Sequence, residues 1–318
     1  MRKKARLIIS AAVALVLLLT GIIWLAADRS DRVGICYCDS DTPYNAAYRK
    51  QLSQALTAQG FEVVITDADG DHAKQIQHIT ELAKKKCDVL LIEPVMYDAT
   101  EELLAAIDCT ELPAILLDRQ IDTALLNNHP RIAYMGYQEE QSGQLQAQMM
   151  QELPDSGDLN GDGMISYILI QGEQNLQNAK ARTDSFENAV QSAKLEVQQL
   201  AKISGDGSLE SGRRICKEQL AIYGKDIEII VCGDDQMAIG AAEAIADGGR
   251  TVGKNVYLLA IGGRAELLNM VNEGKISGTV HHNIPVKIDT IVKNTLAIFR
   301  QEPIEQIQVL PYTIAAKE

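Results

Sequence analysis

Aromatic side chains are scarce in this chain. They make up 4% of its 318 residues, with three phenylalanines and one tryptophan. That tryptophan, Trp24, falls inside a long apolar run near the N-terminus, so the rest of the chain has none to offer a ligand. Positive charge is also short: 30 Lys and Arg stand against 43 Asp and Glu, for a net charge of −13. A surface of that sign repels nucleic-acid phosphates and anionic lipid, so nucleic acid is excluded as a partner. The signatures of common enzyme classes are missing too. There is no Gly-x-Ser-x-Gly elbow and no His-x-x-x-His zinc pair. GGRTVGKN (248–255) comes nearest to a phosphate loop, but it ends in Asn255, which lacks the hydroxyl for Mg²⁺. It also follows a helical stretch and precedes a strand, the reverse of the required order. Cysteines at 36, 38, 87, 109, 216 and 232 show no metal-ligand spacing and read as small core hydrophobes. A Cys87–Cys109 disulfide is the alternative for a chain outside the membrane.

What is present begins with MRKKAR, which carries four cations, and LIISAAVALVLLLTGIIWLAA (7–27), 21 residues without a charge. A helix of that length spans a hydrocarbon core of about 30 Å. The cations ahead of it place the N-terminus in the cytoplasm and the remainder outside. An uncleaved anchor is favoured, because the run exceeds the roughly 7–15 residues of a signal-peptide core. Cleavage after Leu25-Ala26-Ala27 is the alternative. No cysteine lies near the end of the run to accept a lipid. Without the four cations the net charge of −13 falls to −17.

From residue 32 short apolar runs alternate with amphipathic stretches. RVGICYC, FEVVITDA, CDVLLIEPV and LPAILLDR read as strands; HAKQIQHITELAKKK, with Ile76, Ile79, Leu82 and Ala83 on one face, reads as a helix. The alternation pauses at IAYMGYQEEQSGQLQAQMMQELPDSG. It restarts with MISYILIQG, a helix near 178–193, LEVQQLAKI, a helix near 209–222, IEIIVCGDD and VYLLAIGG. Such alternation implies right-handed crossovers and parallel sheets covered on both faces, in two α/β lobes. Ligands of such sheets bind beyond the carboxyl ends of the strands.

DLNGDGMIS (158–166) sets Asp158, Asn160 and Asp162 at positions 1, 3 and 5 of a calcium loop, with Gly163 at position 6. Position 12, where an EF-hand needs a bidentate glutamate, is Leu169, and the loop leads into a strand. DLNGDGMISYILIQGEQNLQNAKARTDSF resembles the calcium loop, strand and sugar-binding turn of the galactose/glucose branch of type I periplasmic sugar-binding proteins. CGDDQMAIGAAEAI resembles that family's Asn-Asp-x-Met-Ala-x-Gly-Ala helix start, with Asp234 in place of asparagine. LPAILLDRQ resembles the Leu-Asp-Arg turn of the ribose branch, and GKISGTVHH the strand that returns to the first lobe. The resemblance covers about residues 32–318.

It implies an α/β fold of two doubly wound parallel-sheet lobes joined by a three-crossover hinge, which the one transmembrane helix expected from the apolar run would precede. Crossovers are expected near 118, 283 and 310. Residues 1–31 would be the membrane anchor or signal segment, 32–118 plus 284–309 the N-terminal lobe, and 119–283 plus 310–318 the C-terminal lobe. The function implied is an extracytoplasmic solute-binding protein that clamps a small carbohydrate and delivers it to the membrane permease of an ABC importer. A membrane-anchored sensor reporting to a two-component kinase or chemoreceptor is the alternative. A repressor-type regulator of the same fold would need a helix-turn-helix where this chain has its apolar run.

Carried over position by position, the ligand-binding candidates are Asp41, Thr42 and Tyr44 after the first strand, Glu93, Asp118, Arg119, Asn178, Arg182, Asp234 and His282. Tyr44 would stack on the sugar ring, and Arg119, Arg182 and Asp234 are expected to meet around one cleft. Duller readings stand beside these. Asp235 is expected to cap the following helix, Arg119 and Arg182 to be surface ion pairs, Tyr44 to be core, and Glu93 to end a strand. His281 and His282 point to opposite faces of their strand, which argues against a metal pair. The metal candidates are Asp158, Asn160, Asp162, the Met164 carbonyl, Ser166, and Gln198 where the family has a distant glutamate, with Glu196 nearby as a substitute. A structural Ca²⁺ is the one cofactor implied; no organic cofactor is.

The sequence departs from the galactose/glucose pattern at Thr42, Leu176 and Gly262, and near Gly207 it lacks the second-lobe tryptophan. Two-sided ring stacking is thereby impaired. The ligand class is a monosaccharide or a related polyol or amino sugar. The surplus acids Glu93, Asp118 and Asp234 suit one that bears an amino group.

Overall fold

The computed structural model describes residues 30–39, 43–174 and 176–317, with the side chains of 43–45 excepted. The apolar run at 7–27 lies outside the described residues. Among those described, no helix is long and apolar enough to cross a membrane.

In chain order the elements are β1 (Arg32–Tyr37), α1 (Pro43–Ala58), β2 (Glu62–Asp67), α2 (His72–Lys84), β3 (Val89–Ile92), α3 (Thr100–Asp108), β4 (Ala114–Asp118) and β5 (Ile132–Tyr137). Next come α4 (Glu139–Glu152), β6 (Ile165–Gln171), α5 (Gln177–Ser192), β7 (Val197–Ser204), α6 (Leu209–Tyr223), β8 (Ile229–Cys232), α7 (Asp235–Asp247) and β9 (Tyr257–Ile261). The chain closes with α8 (Ala265–Asn272), β10 (Gly278–His282), α9 (Ile284–Phe299), β11 (Ile307–Leu310) and β12 (Tyr312–Ala316).

Among the described residues these strands form two sheets of the same winding, β11-β5-β4-β3-β1-β2 and β12-β10-β9-β8-β6-β7. Central strands such as VLLI in β3 and IIVC in β8 are buried along their whole length, as continuous apolar runs require in a sheet covered on both faces. The edge strands β2 and β7 keep half-exposed residues instead. One departure from the all-parallel expectation is β12, which runs antiparallel to β10.

The chain divides into two compact units. One runs up to Tyr134 and takes Val292–Gln306; the other comprises Met135–Ile291 and Ile307–Glu318. The first passage therefore falls at 134/135, not near 118, and the others at 291/292 and 306/307. β5 lies beside β4 in the first sheet, and the division falls within β5, one strand later in the chain than expected.

Each unit has its own core. Ile79, Leu82, Leu90, Leu104 and Leu116 belong to the first, and Ile168, Ile170, Ile230, Met237 and Leu258 to the second. Cys87 is sealed inside the first core while Cys109 is exposed after α3, and all six cysteines are free, so the Cys87–Cys109 bridge does not form.

In the second unit α6 and α7 touch through their backbones. A Cβ on Gly240 would lie 2.0 Å from the Leu209 carbonyl oxygen, and one on Gly212 2.2 Å from that of Met237. Only residues without side chains permit that approach. Gly240→Ala is expected to force the helices apart and cost about 1–3 kcal/mol of stability, read as a lower urea midpoint at unchanged slope. An unchanged midpoint would mean that the helices separate freely.

Candidate functional site

The strand order places a switch point between β1 and β3 in the first sheet and between β6 and β8 in the second. Polar side chains gather at the carboxyl ends of the strands in each unit.

In the first unit the centre is Arg49, nearly buried, on α1. Its guanidinium carbon lies 4.0 Å over the Tyr37 ring centroid, and it donates to Asp67 Oδ2 at 2.9 Å and to the Asp39 carbonyl at 2.6 Å. The buried Glu93 carboxylate lies 3.7 Å from the same guanidinium. Cys38 donates to Glu93 at 3.6 Å; burial, with the Glu93 charge behind it, holds this thiol well above its ordinary pKa. Arg119 is the more open cation. It donates to Asp39 Oδ2 at 2.7 Å and to the Val95 carbonyl at 3.3 Å. Asp118, which ends β4, has φ = 64°, a left-handed conformation that aspartate tolerates better than most residues with a side chain.

In the second unit the centre is Arg182, on the second turn of α5. Its Nε donates to Glu139 Oε2 at 2.6 Å, and the Tyr312 hydroxyl donates to the same oxygen at 2.8 Å. Nη1 reaches the Gly233 carbonyl at 3.4 Å. Burial pulls the Arg182 pKa down, but Glu139 and Tyr312 outweigh it and the guanidinium is held charged. Burial, then the Glu139 charge, pushes the Tyr312 hydroxyl far up. A planar cation is thus held in one orientation before any ligand arrives.

Asp234, not Asp235, caps α7, accepting from the Met237 N–H at 2.9 Å. Asp235 is the first helical residue and accepts from Arg264 Nε at 3.0 Å instead. Burial raises the pKa of both carboxyls.

His282 ends β10 and stacks on Tyr137 with ring centroids 3.7 Å apart; the Tyr312 ring is 4.7 Å away. Its Nε2 is buried without a hydrogen-bond partner among the described residues. Burial, then Lys287, Arg182 and His281, lowers its pKa to about 3. The unfolded chain therefore binds a proton that the folded chain refuses between pH 6.5 and about 3, and stability falls as pH falls through that window. By pH 4.5 the loss is about 2–3 kcal/mol. His282→Gln should flatten that acid limb in denaturant titrations; an equally steep limb would show that other groups cause it.

The remaining candidates are dispersed. Asp41 and Thr42 lie outside the described residues, and Tyr44 is placed only as backbone in the first turn of α1. Asn178 is exposed and bonds its neighbour, the Ala179 N–H, at 2.9 Å. Arg119 and Glu93 belong to the first unit, Arg182, Asp234 and His282 to the second. Arg182 and Arg119 do form ion pairs, but at strand carboxyl ends and not on a featureless surface. The sequence reading missed the cation Arg49, and also Asp39, which holds Arg49 and Arg119, and Glu139 and Tyr312, which fix Arg182. It also missed Gln171, whose Oε1 is buried without a partner among the described residues where β6 ends, while its Nε2 donates to Ser204 at 2.8 Å. The one signal for Gln171 was a polar residue closing the apolar run ISYILIQ.

In the 158–166 loop, Asp158 accepts from Gly161 and Gly163 at 2.6 and 2.9 Å, Asn160 from Asp162 at 2.8 Å, and Asp162 from Met164 at 2.9 Å. Gln198 is exposed on β7, in register with Ser166. The acid that meets the loop backbone is Glu228. Only 1% exposed, it accepts from Leu159 and Asn160 at 2.7 and 3.0 Å through one oxygen and from Ser166 at 2.8 Å through the other. The donor set is all oxygen, as Ca²⁺ prefers. As the side chains stand, no group of three or more acidic, histidine or cysteine residues converges to hold a metal ion among the described residues.

Twin doubly wound sheets with charged and hydrogen-bonding groups at their strand ends suit the binding of a small polar solute. The chain belongs to the family described as periplasmic binding protein domain, whose pattern matches residues 33–302. It is 23% identical over 270 residues to the D-galactose/methyl-galactoside binding periplasmic protein MglB of Haemophilus influenzae, covering 80% of this chain and 77% of that one. It is 23% identical over 256 residues to the ribose import binding protein RbsB of the same organism, covering 80% and 81%. A D-allose-bound ABC transporter periplasmic solute-binding protein from Actinobacillus succinogenes 130z has the same fold, with a TM-score of 0.74 at 16% identity, over 90% of this chain and 98% of that one.

Proposed function

We propose that this protein is an extracytoplasmic solute-binding protein that takes a small carbohydrate through the groups at the strand carboxyl ends and delivers it to the permease of an ABC importer. The observation that carries this reading is Arg182, fixed by Glu139 and Tyr312 beside the Gly233 carbonyl. A fixed guanidinium next to a carbonyl acceptor matches the paired oxygens of a vicinal diol. The sugar-binding names of the relatives point the same way.

In the first unit taken alone acids outnumber cations at this end, since Asp39, Asp67 and Glu93 face Arg49 and Arg119; in the second, Glu139, Asp234 and Asp235 stand with Arg182, Arg264 and Lys287. An amino-bearing sugar or polyol uses that surplus. The apolar run at 7–27 is proposed as the membrane anchor; a tethered sensor is the second reading, and a pull-down of membrane partners separates permease from kinase. Calcium, where bound, is proposed to be structural, on Asp158, Asn160 and Asp162 with Glu228 in place of Gln198.

The deciding experiment is a thermal-shift screen of residues 28–318 against neutral and amino monosaccharides, each with calcium and with a chelator. A ligand at 100 times its Kd adds about 2.7 kcal/mol of stability. Glucosamine or a related amine should outperform its neutral counterpart, and the chelator should lower the melting temperature without abolishing the response. A panel in which no sugar raises the melting temperature defeats the reading.

A further inference from the structure

At the opposite, amino end of the second unit's sheet lies a cavity of about 770 Å³, within the range of small-molecule sites. Lys217 on α6, Lys225 just after it, and Lys254 and Arg250 in the loop before β9 contribute to its lining. Leu220 and Ala244 give it an apolar floor. The charge here runs against the rest of the molecule, which is strongly acidic.

The two acids in the lining are already engaged. Both oxygens of Glu228 accept backbone N–H groups, and Asp247 pairs with Arg213 at 2.7 Å. Arg250 is engaged as well: it donates to the Gly224 and Ile227 carbonyls at 2.9 and 2.8 Å, and also to that of Asn255. Its bonds build the wall. The three lysine ammonium groups have no hydrogen bond or ion pair among the described residues. The rival explanation is that they only oppose the negative ends of α6 and α7. That role does not require three ammonium groups around one concave apolar floor.

We infer that this cavity is a second ligand site, for a small amphiphilic anion that carries a phosphate or similar dianion on an apolar body. The lysines take the anion as mobile point charges, and the floor takes the apolar part. The site is independent of the carbohydrate groups, because no residue is shared between them.

The test is calorimetric titration of the protein with n-hexyl phosphate, inorganic phosphate and 1-hexanol. Hexyl phosphate should saturate one site, more tightly than either fragment, and weaken as NaCl rises. Lys217→Ala with Lys254→Ala should weaken it at least tenfold while the sugar-induced melting shift stays intact. Arg182→Ala should leave hexyl phosphate binding unchanged. No saturable binding, or equal binding by the double-lysine variant, overturns the site. Should the double variant bind poorly and also lose stability, the single charge reversals Lys225→Glu and Lys254→Glu decide: unchanged affinity in both rejects the proposal.

Discussion

Glu228→Ala is expected to lower the unfolding free energy by about 2–4 kcal/mol, the largest effect on stability foreseen for any single residue outside the packed core. Glu228 is buried and receives N–H groups from both the start of the 158–166 loop and the first turn of β6. Alanine leaves the Ser166 N–H without an acceptor in a place that water does not reach, whereas the Asn160 N–H can recover water. Glu228→Gln keeps the shape but turns a donor toward donors, and should fall between wild type and alanine. Gln198→Ala, on the exposed edge strand, should stay within about 0.5 kcal/mol. Urea titrations of the three variants make the comparison. Equal midpoints for Glu228→Ala and Gln198→Ala would remove Glu228 from its place as the keystone of the loop.

The second large effect is on ligand binding. Arg182→Ala should weaken the sugar response by at least 100-fold, so that a concentration producing a full melting shift in the wild type produces almost none. A hydrogen bond to a charged group is worth about 1.5–3 kcal/mol, and a guanidinium on a diol makes two. Arg182→Lys keeps the charge but not the planar fork, and should recover only part of the affinity. Glu139→Gln keeps a hydrogen-bond acceptor beside Arg182 and tests positioning. It should weaken binding less than Arg182→Ala, and any recovery with Arg182→Lys should be lost in the double variant. A normal melting shift in Arg182→Ala would move the carbohydrate site elsewhere.

Much of the fold was legible because its signals are local. VLLI, AILLD, IIVC and YLLAI are short apolar runs that only a covered parallel sheet accommodates, and they appear as β3, β4, β8 and β9. The helix expected near 209–222 is α6, and Ser208 caps it by accepting from the Ser211 N–H at 3.1 Å. The cap of α7 was misassigned by one residue, since Asp234 and Asp235 are chemically identical in sequence. Only the extended backbone at Asp234, with φ = −153°, turns its carboxylate onto the Met237 N–H.

The site was legible in part. Glu93, Arg119 and Asp234 follow β3, β4 and β8 in the chain, while Arg182 lies on α5. Their partners were not visible. Glu139 is 43 residues from Arg182, and Tyr312 is 173 from Glu139. Glu228 lies 62 residues beyond Ser166, and no spacing rule links them.

The sequence alone determined the α/β alternation, the net acidic character, and the positions where strands give way to loops. Periodicity and composition act over a few residues and survive in any context. Tertiary structure decided which carboxylate holds which cation, that Glu228 ties the start of the acidic loop to β6, and that His282 is kept neutral between tyrosine rings. Those outcomes depend on groups distant in the chain being brought within 3–4 Å, where burial removes competing water and leaves each charge only the partner that folding provides.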